Sequence, residues 1–169
     1  MKTPTGAILL LLALPAAASA QTTTALNPLY QDIKRNLVES AEQMSEADYG
    51  FKPTPEVRSF GQIIGHVANS SYAICATAKG EKNPSTEDFE KVTSKAALVA
   101  AIKAGLTYCD DAFTWPDPKF TGTAQMFGMT MSRLSWLILE VTHDNEHYGN
   151  LVTYFRLKGM VPPSSKRGG

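Results

Sequence analysis

Ser135-Trp136-Leu137-Ile138-Leu139-Glu140-Val141-Thr142-His143-Asp144-Asn145-Glu146-His147-Tyr148-Gly149-Asn150-Leu151-Val152-Thr153-Tyr154 is the stretch on which the fold turns. It contains no proline and reads as the middle of a long helix running from about Thr130 to Lys158. Gly159 closes that helix, and Pro162-Pro163 stop the chain from continuing it. At the helical step of about 100° per residue, Trp136, Glu140, His143, His147, Asn150 and Tyr154 fall on one side. Trp136 and Tyr154 have the spacing of core aromatics. Asp144 and Glu146 point further round and are expected in solvent or in surface ion pairs.

Three more helices are expected before this one. The first starts at Asn27-Pro28, a cap followed by proline at the first helical position, and carries Leu29, Ile33, Leu37 and Met44 at helical spacing. Ser59-Phe60-Gly61-Gln62 is a capping box that opens the second, and Gly80 closes it. Gly61 and Gly65 lower the propensity of this helix and suit close approach of another helix. Thr93 or Ser94 caps the third, which runs through Leu98, Ile102, Leu106 and Cys109 to about Phe113. Residues 45–58, 81–92 and 116–129 hold prolines and polar runs and read as connectors, with no strand anywhere. Four amphipathic helices make an all-α chain, a four-helix bundle, and the long connectors permit crossovers.

The 169 residues suffice for one domain, and 16 basic residues balance 16 acidic ones, so no nucleic-acid-binding surface is indicated. Residues 1–20 have the form of a signal peptide: Lys2, an apolar run from Ile8 to Leu14, then Ala18-Ser19-Ala20 before Gln21. The expected mature domain is 21–163, exported to the periplasm or secreted and without a membrane anchor after cleavage, followed by a flexible tail over 164–169. In an oxidising compartment Cys75 and Cys109 read as a disulfide. Such a bridge would stabilise by about 3–4 kcal/mol in the chain-entropy model.

The chain has only three histidines. His143 and His147 lie one turn apart on a helix, so both imidazoles can reach one ion. His66, in the middle of the second helix, is placed to join them across a bundle. Glu140 and Asn150, one turn to either side of the pair, are candidates to orient an imidazole, and Glu140 could itself bind the metal or act as a base. The pair differs from a zinc-protease motif because Asp144, not Glu, follows the first histidine. Three neutral imidazoles leave the ion its full charge and an open position, the arrangement of a catalytic rather than a structural site.

The chain resembles the DinB-like (DinB/YfiT) family of bacterial four-helix-bundle metalloproteins over roughly residues 25–160. The resemblance rests on Phe51-Lys52-Pro53-Thr54-Pro55-Glu56-Val57-Arg58-Ser59-Phe60, on Gly65-His66-Val67-Ala68 and on His143-Asp144-Asn145-Glu146-His147-Tyr148-Gly149-Asn150-Leu151. It implies up-down-down-up helix order, His66, His143 and His147 as ligands of one zinc, nickel or iron ion, and a homodimer. Many members follow the second histidine of the pair with Arg-Gly-Gln, where this chain has Tyr148-Gly149-Asn150. That departure leaves the ligands intact and bears on the substrate. The functional expectation is a metal-dependent enzyme acting on a small molecule, either a hydrolase or a thiol-dependent transferase. The alternative is a non-catalytic metal-binding or stress-related helical module.

Overall fold

The structure, a computed structural model, describes residues 21–166. The expected signal peptide and the last three residues of the expected tail lie outside them. Four long helices form the body: α1 (Thr22–Gln43), α2 (Phe60–Lys79), α3 (Lys95–Cys109) and α4 (Arg133–Leu157). Their packing gives the up-down-down-up order. Tyr30, in the first half of α1, donates to Leu106 O near the end of α3, whereas Glu42 O, late in α1, accepts from Lys95 at the start of α3, so these two helices are antiparallel. Phe60 at the start of α2 meets Phe155 near the end of α4, and Ala78 near the end of α2 accepts from Arg133 at the start of α4. The pairs α1/α4 and α2/α3 are parallel, the second stapled by a Cys75–Cys109 disulfide with Cα atoms 5.5 Å apart. Tyr30, Phe60, Phe113, Trp136 and Phe155 fill the middle and are fully buried, so Trp136 is the core aromatic its spacing indicated.

The capping box operates as written in the sequence. Ser59 Oγ accepts from the Gln62 amide, and Gln62 Oε1 accepts from the Ser59 amide. Gly80 ends α2 in a left-handed conformation that costs a residue without Cβ little. Ser94 and Ser132 cap the N-termini of α3 and α4, their hydroxyls accepting from the Ala97 and Ser135 amides.

Four expectations need correction. α1 begins at Thr22, not at Asn27-Pro28, and Pro28 lies inside it. The reason is a remote cap: the Asp117 carboxylate accepts from the Thr22 and Thr23 amides and from Thr23 Oγ1. Those bonds, the one from the Thr23 amide foremost, hold the Asp117 carboxyl down at about 2. The 116–129 connector is not strand-free. β1 (Thr123–Met126) and β2 (Met129–Ser132) pair antiparallel around Phe127-Gly128, both at positive φ. Trp136 Nε1 donates to Ala124 O and ties this hairpin to α4. α3 stops at Cys109 and is followed by a separate helical turn, Ala112–Thr114. The start of the expected tail is ordered as α5 (Pro163–Lys166), where the Ser164 amide donates to Tyr148 Oη and Lys166 Nζ to Gln43 Oε1. Among the described residues no helix is long and apolar enough to cross a membrane.

Candidate metal centre

Antiparallel packing of α2 on α4 brings the middle of each helix together, and the three histidines meet there. His143 Nε2 lies 3.2 Å from His66 Nε2 and 3.0 Å from His147 Nε2. Two nitrogens each about 2.0–2.1 Å from one zinc ion, at roughly 90–110° to one another, are about 3–3.4 Å apart. Both distances suit a shared ion, and the three histidines each offer a ligand atom within 4.8 Å of the other two. Among the described residues no thiol or carboxylate joins this group of three donors.

The electrostatics favour neutral imidazoles. Burial lowers the affinity of all three for a proton. For His147 the neighbouring His143 and His66 and the Arg58 charge act in the same direction, and its pKa falls to about 3. At neutral pH a metal ion thus meets little competition from protons at these nitrogens.

One partner that the sequence did not suggest orients the site. A helical turn, Phe89–Lys91, lies against α2 and presents Glu90, whose Oε1 is 2.7 Å from His66 Nδ1. A neutral His66 donates from Nδ1 to this carboxylate, which leaves the Nε2 lone pair facing the other histidines. Arg58 binds the same carboxylate, its Nε 2.9 Å from Glu90 Oε2, and helps to hold the Glu90 carboxyl below its usual range. His143 and His147 have no such partner: their Nδ1 atoms are buried without a hydrogen bond, that of His143 lying 3.9 Å from Asp144 Oδ1.

Gly65 makes the Glu90 contact possible. A Cβ there would lie 2.3 Å from Phe89 O and 2.5 Å from Phe89 C, both backbone atoms. This neighbour is the turn, not a helix. Gly65→Ala must push the turn away and carry Glu90 from His66. The expected result is a loss of about 1–3 kcal/mol in urea denaturation, as for other overpacked cores. Metal affinity should fall by about tenfold or more, the cost of losing a partner behind a ligand.

The other sequence candidates lie elsewhere. Glu140 hydrogen-bonds no imidazole. It is fully buried in the bundle core, with Oε1 3.5 Å from Cys109 Sγ of the disulfide and Oε2 unpartnered. Asn150 is exposed and lines a cavity of about 640 Å³ beside His147, together with Arg58, Ile63 and Tyr154. Asp144 corrects its expectation of solvent, because it is completely buried with both carboxylate oxygens unpartnered. α4 packs on α1 as well as on α2, so its buried arc reaches past the histidines to include Asp144. Burial pushes the Asp144 carboxyl well up, and burial with the adjacent Asp144 charge does the same to Glu140.

Comparison with known proteins agrees with this architecture. The sequence model of the DinB superfamily matches residues 29–151. No curated protein matches the chain in sequence. A DinB-like protein from Bacillus cereus superposes with a TM-score of 0.66 at 18% identity, over 80% of this chain and 93% of that one. A DinB family protein from Exiguobacterium sibiricum gives 0.63 at 19% identity, over 81% and 91%. A mutant of a mycothiol-dependent maleylpyruvate isomerase gives 0.62 at 16% identity, and this chain's match spans 60% of it.

Proposed function

The chain belongs to the DinB superfamily, and we propose that it is a metal-dependent enzyme whose ion is held by His66, His143 and His147. The observation that carries the proposal is the convergence of three neutral Nε2 atoms beside an open cavity. Zinc, nickel and iron all suit three imidazoles. A divalent ion so held supplies Lewis-acid chemistry and lowers the pKa of a water or thiol that shares it. The chain's own part is positional. Glu90 accepts a hydrogen bond from His66 Nδ1 and fixes its ring, and Arg58 holds Glu90 in place. The cavity admits a small molecule to the His147 side.

Of the two chemistries, hydrolysis is favoured by compartment. The leader-like residues 1–20 direct the chain out of the cytoplasm, and the Cys75–Cys109 disulfide suits an oxidising environment, where low-molecular-weight thiols are scarce. The fold shared with the mycothiol-dependent isomerase supports thiol-dependent transfer as the second reading. Association as a homodimer belongs to the same proposal.

Cobalt substitution tests it. Cobalt(II)-loaded protein should change its visible bands when azide is added, and a small thiol should do so as well if thiol chemistry is the function. Bands that ignore both ligands would mean a closed coordination shell and would sink the enzyme reading.

A further inference from the structure

The cavity beside the metal centre carries one cation, Arg58, and its placement has meaning beyond the support of Glu90. Arg58 follows the proline-rich connector and is pinned to α4, because Tyr154 Oη donates to its backbone carbonyl. Its guanidinium gives Nε and Nη2 to Glu90, while Nη1 makes no hydrogen bond among the described residues. A guanidinium has five N–H donors in a planar fork, so donors remain after Glu90 is bound. The side chain is about half exposed, and it lines the same cavity as His147 and Asn150. Ile63 and Tyr154 add apolar lining to the same cavity.

We infer that the cavity takes a small organic carboxylate with an apolar body, its carboxylate received by Arg58 at the mouth and its reacting end directed to the three histidines. This rests on the metal-centre reading above. A monoanion fits better than a phosphate-like dianion. Glu90 already occupies one edge of the guanidinium, and Glu56, exposed on the same cavity, is a second negative charge. Asn150 adds a neutral amide that can bond a polar substituent on the body.

The test uses cobalt-loaded protein and calorimetric titration with phenylacetate, phenylacetamide and benzylphosphonate. Phenylacetate should bind at least tenfold more tightly than its amide. Arg58→Gln should reduce that preference to less than threefold while cobalt stays bound, and Arg58→Lys should recover part of it. A preference that survives in Arg58→Gln places the carboxylate on the metal and overturns the inference. So does equal binding of acid and amide, and so does benzylphosphonate binding more tightly than phenylacetate. The two readings fail differently: a wild-type protein without cobalt bands loses the metal centre and this inference together, whereas a cobalt-loaded protein indifferent to the carboxylate loses the inference alone.

Discussion

Replacing His143 by Ala is expected to weaken binding of a divalent ion by roughly a hundredfold or more, beyond the 10- to 100-fold cost of losing a partner behind a ligand. His143 is the hub of the cluster: its Nε2 is within 3.2 Å of both other Nε2 atoms. Its removal leaves two donors from different helices, with Glu90 still orienting His66. The fold should tolerate the change. The His143 ring is partly exposed, and its Nδ1 holds no hydrogen bond that the core would lose. A competition titration against a chromophoric chelator reads the affinity, and circular dichroism checks that the bundle is intact. Unchanged affinity in a folded His143→Ala protein would remove the proposed centre.

The second large effect concerns the buried acids. In metal-free protein, Glu140→Gln should lessen the loss of stability that accompanies a rise in pH above the ordinary carboxylate range. Glu140 lies in the core beside the disulfide with one oxygen unpartnered, and burial raises its pKa above the unfolded value. Such a group contributes its stability fully below the unfolded pKa and loses it as the pH climbs toward the folded one. The histidines act with the opposite sign, since their folded pKa values are lowered. Their contribution falls away below about pH 6.5 and is constant above 7, where both states are neutral. The histidines contribute equally to wild type and Glu140→Gln, so the difference between the two proteins isolates Glu140. The slope can reach about 1.4 kcal/mol per pH unit for each proton released. Urea denaturation at three pH values reads it, and equal slopes in wild type and Glu140→Gln would contradict the assignment.

Local grammar carried much of the architecture. The Ser59 and Gln62 capping box, Gly80, and the helical spacing of Ile33 and Leu37 are short-range signals, and the helices stand where those signals lie, although Leu29 of the same spacing is exposed. The histidine pair was visible because four residues separate its members. His66 could be added to it only through the antiparallel packing that a bundle implies. What escaped was long-range. Asp117 caps α1 from more than ninety positions away in sequence. Glu90 reaches His66 across a connector whose composition reads as solvent-exposed loop. The hairpin turns on Phe127-Gly128 rather than the Asn-Gly or Asp-Gly pair that usually marks such a turn. Asp144 looked solvated because a carboxylate seldom lies in a core unpaired, yet α4 packs on both α1 and α2 and Asp144 is fully buried. In each case the deciding partner is distant in sequence and carries no local pattern.

X-ray absorption at the metal edge of zinc-loaded protein tests the centre most directly. One ion per chain, with three imidazole nitrogens at about 2.0–2.1 Å and a further light-atom donor from solvent, is the predicted spectrum. Sulfur in the coordination shell, a single imidazole, or metal content well below one ion per chain would contradict a site built from His66, His143 and His147.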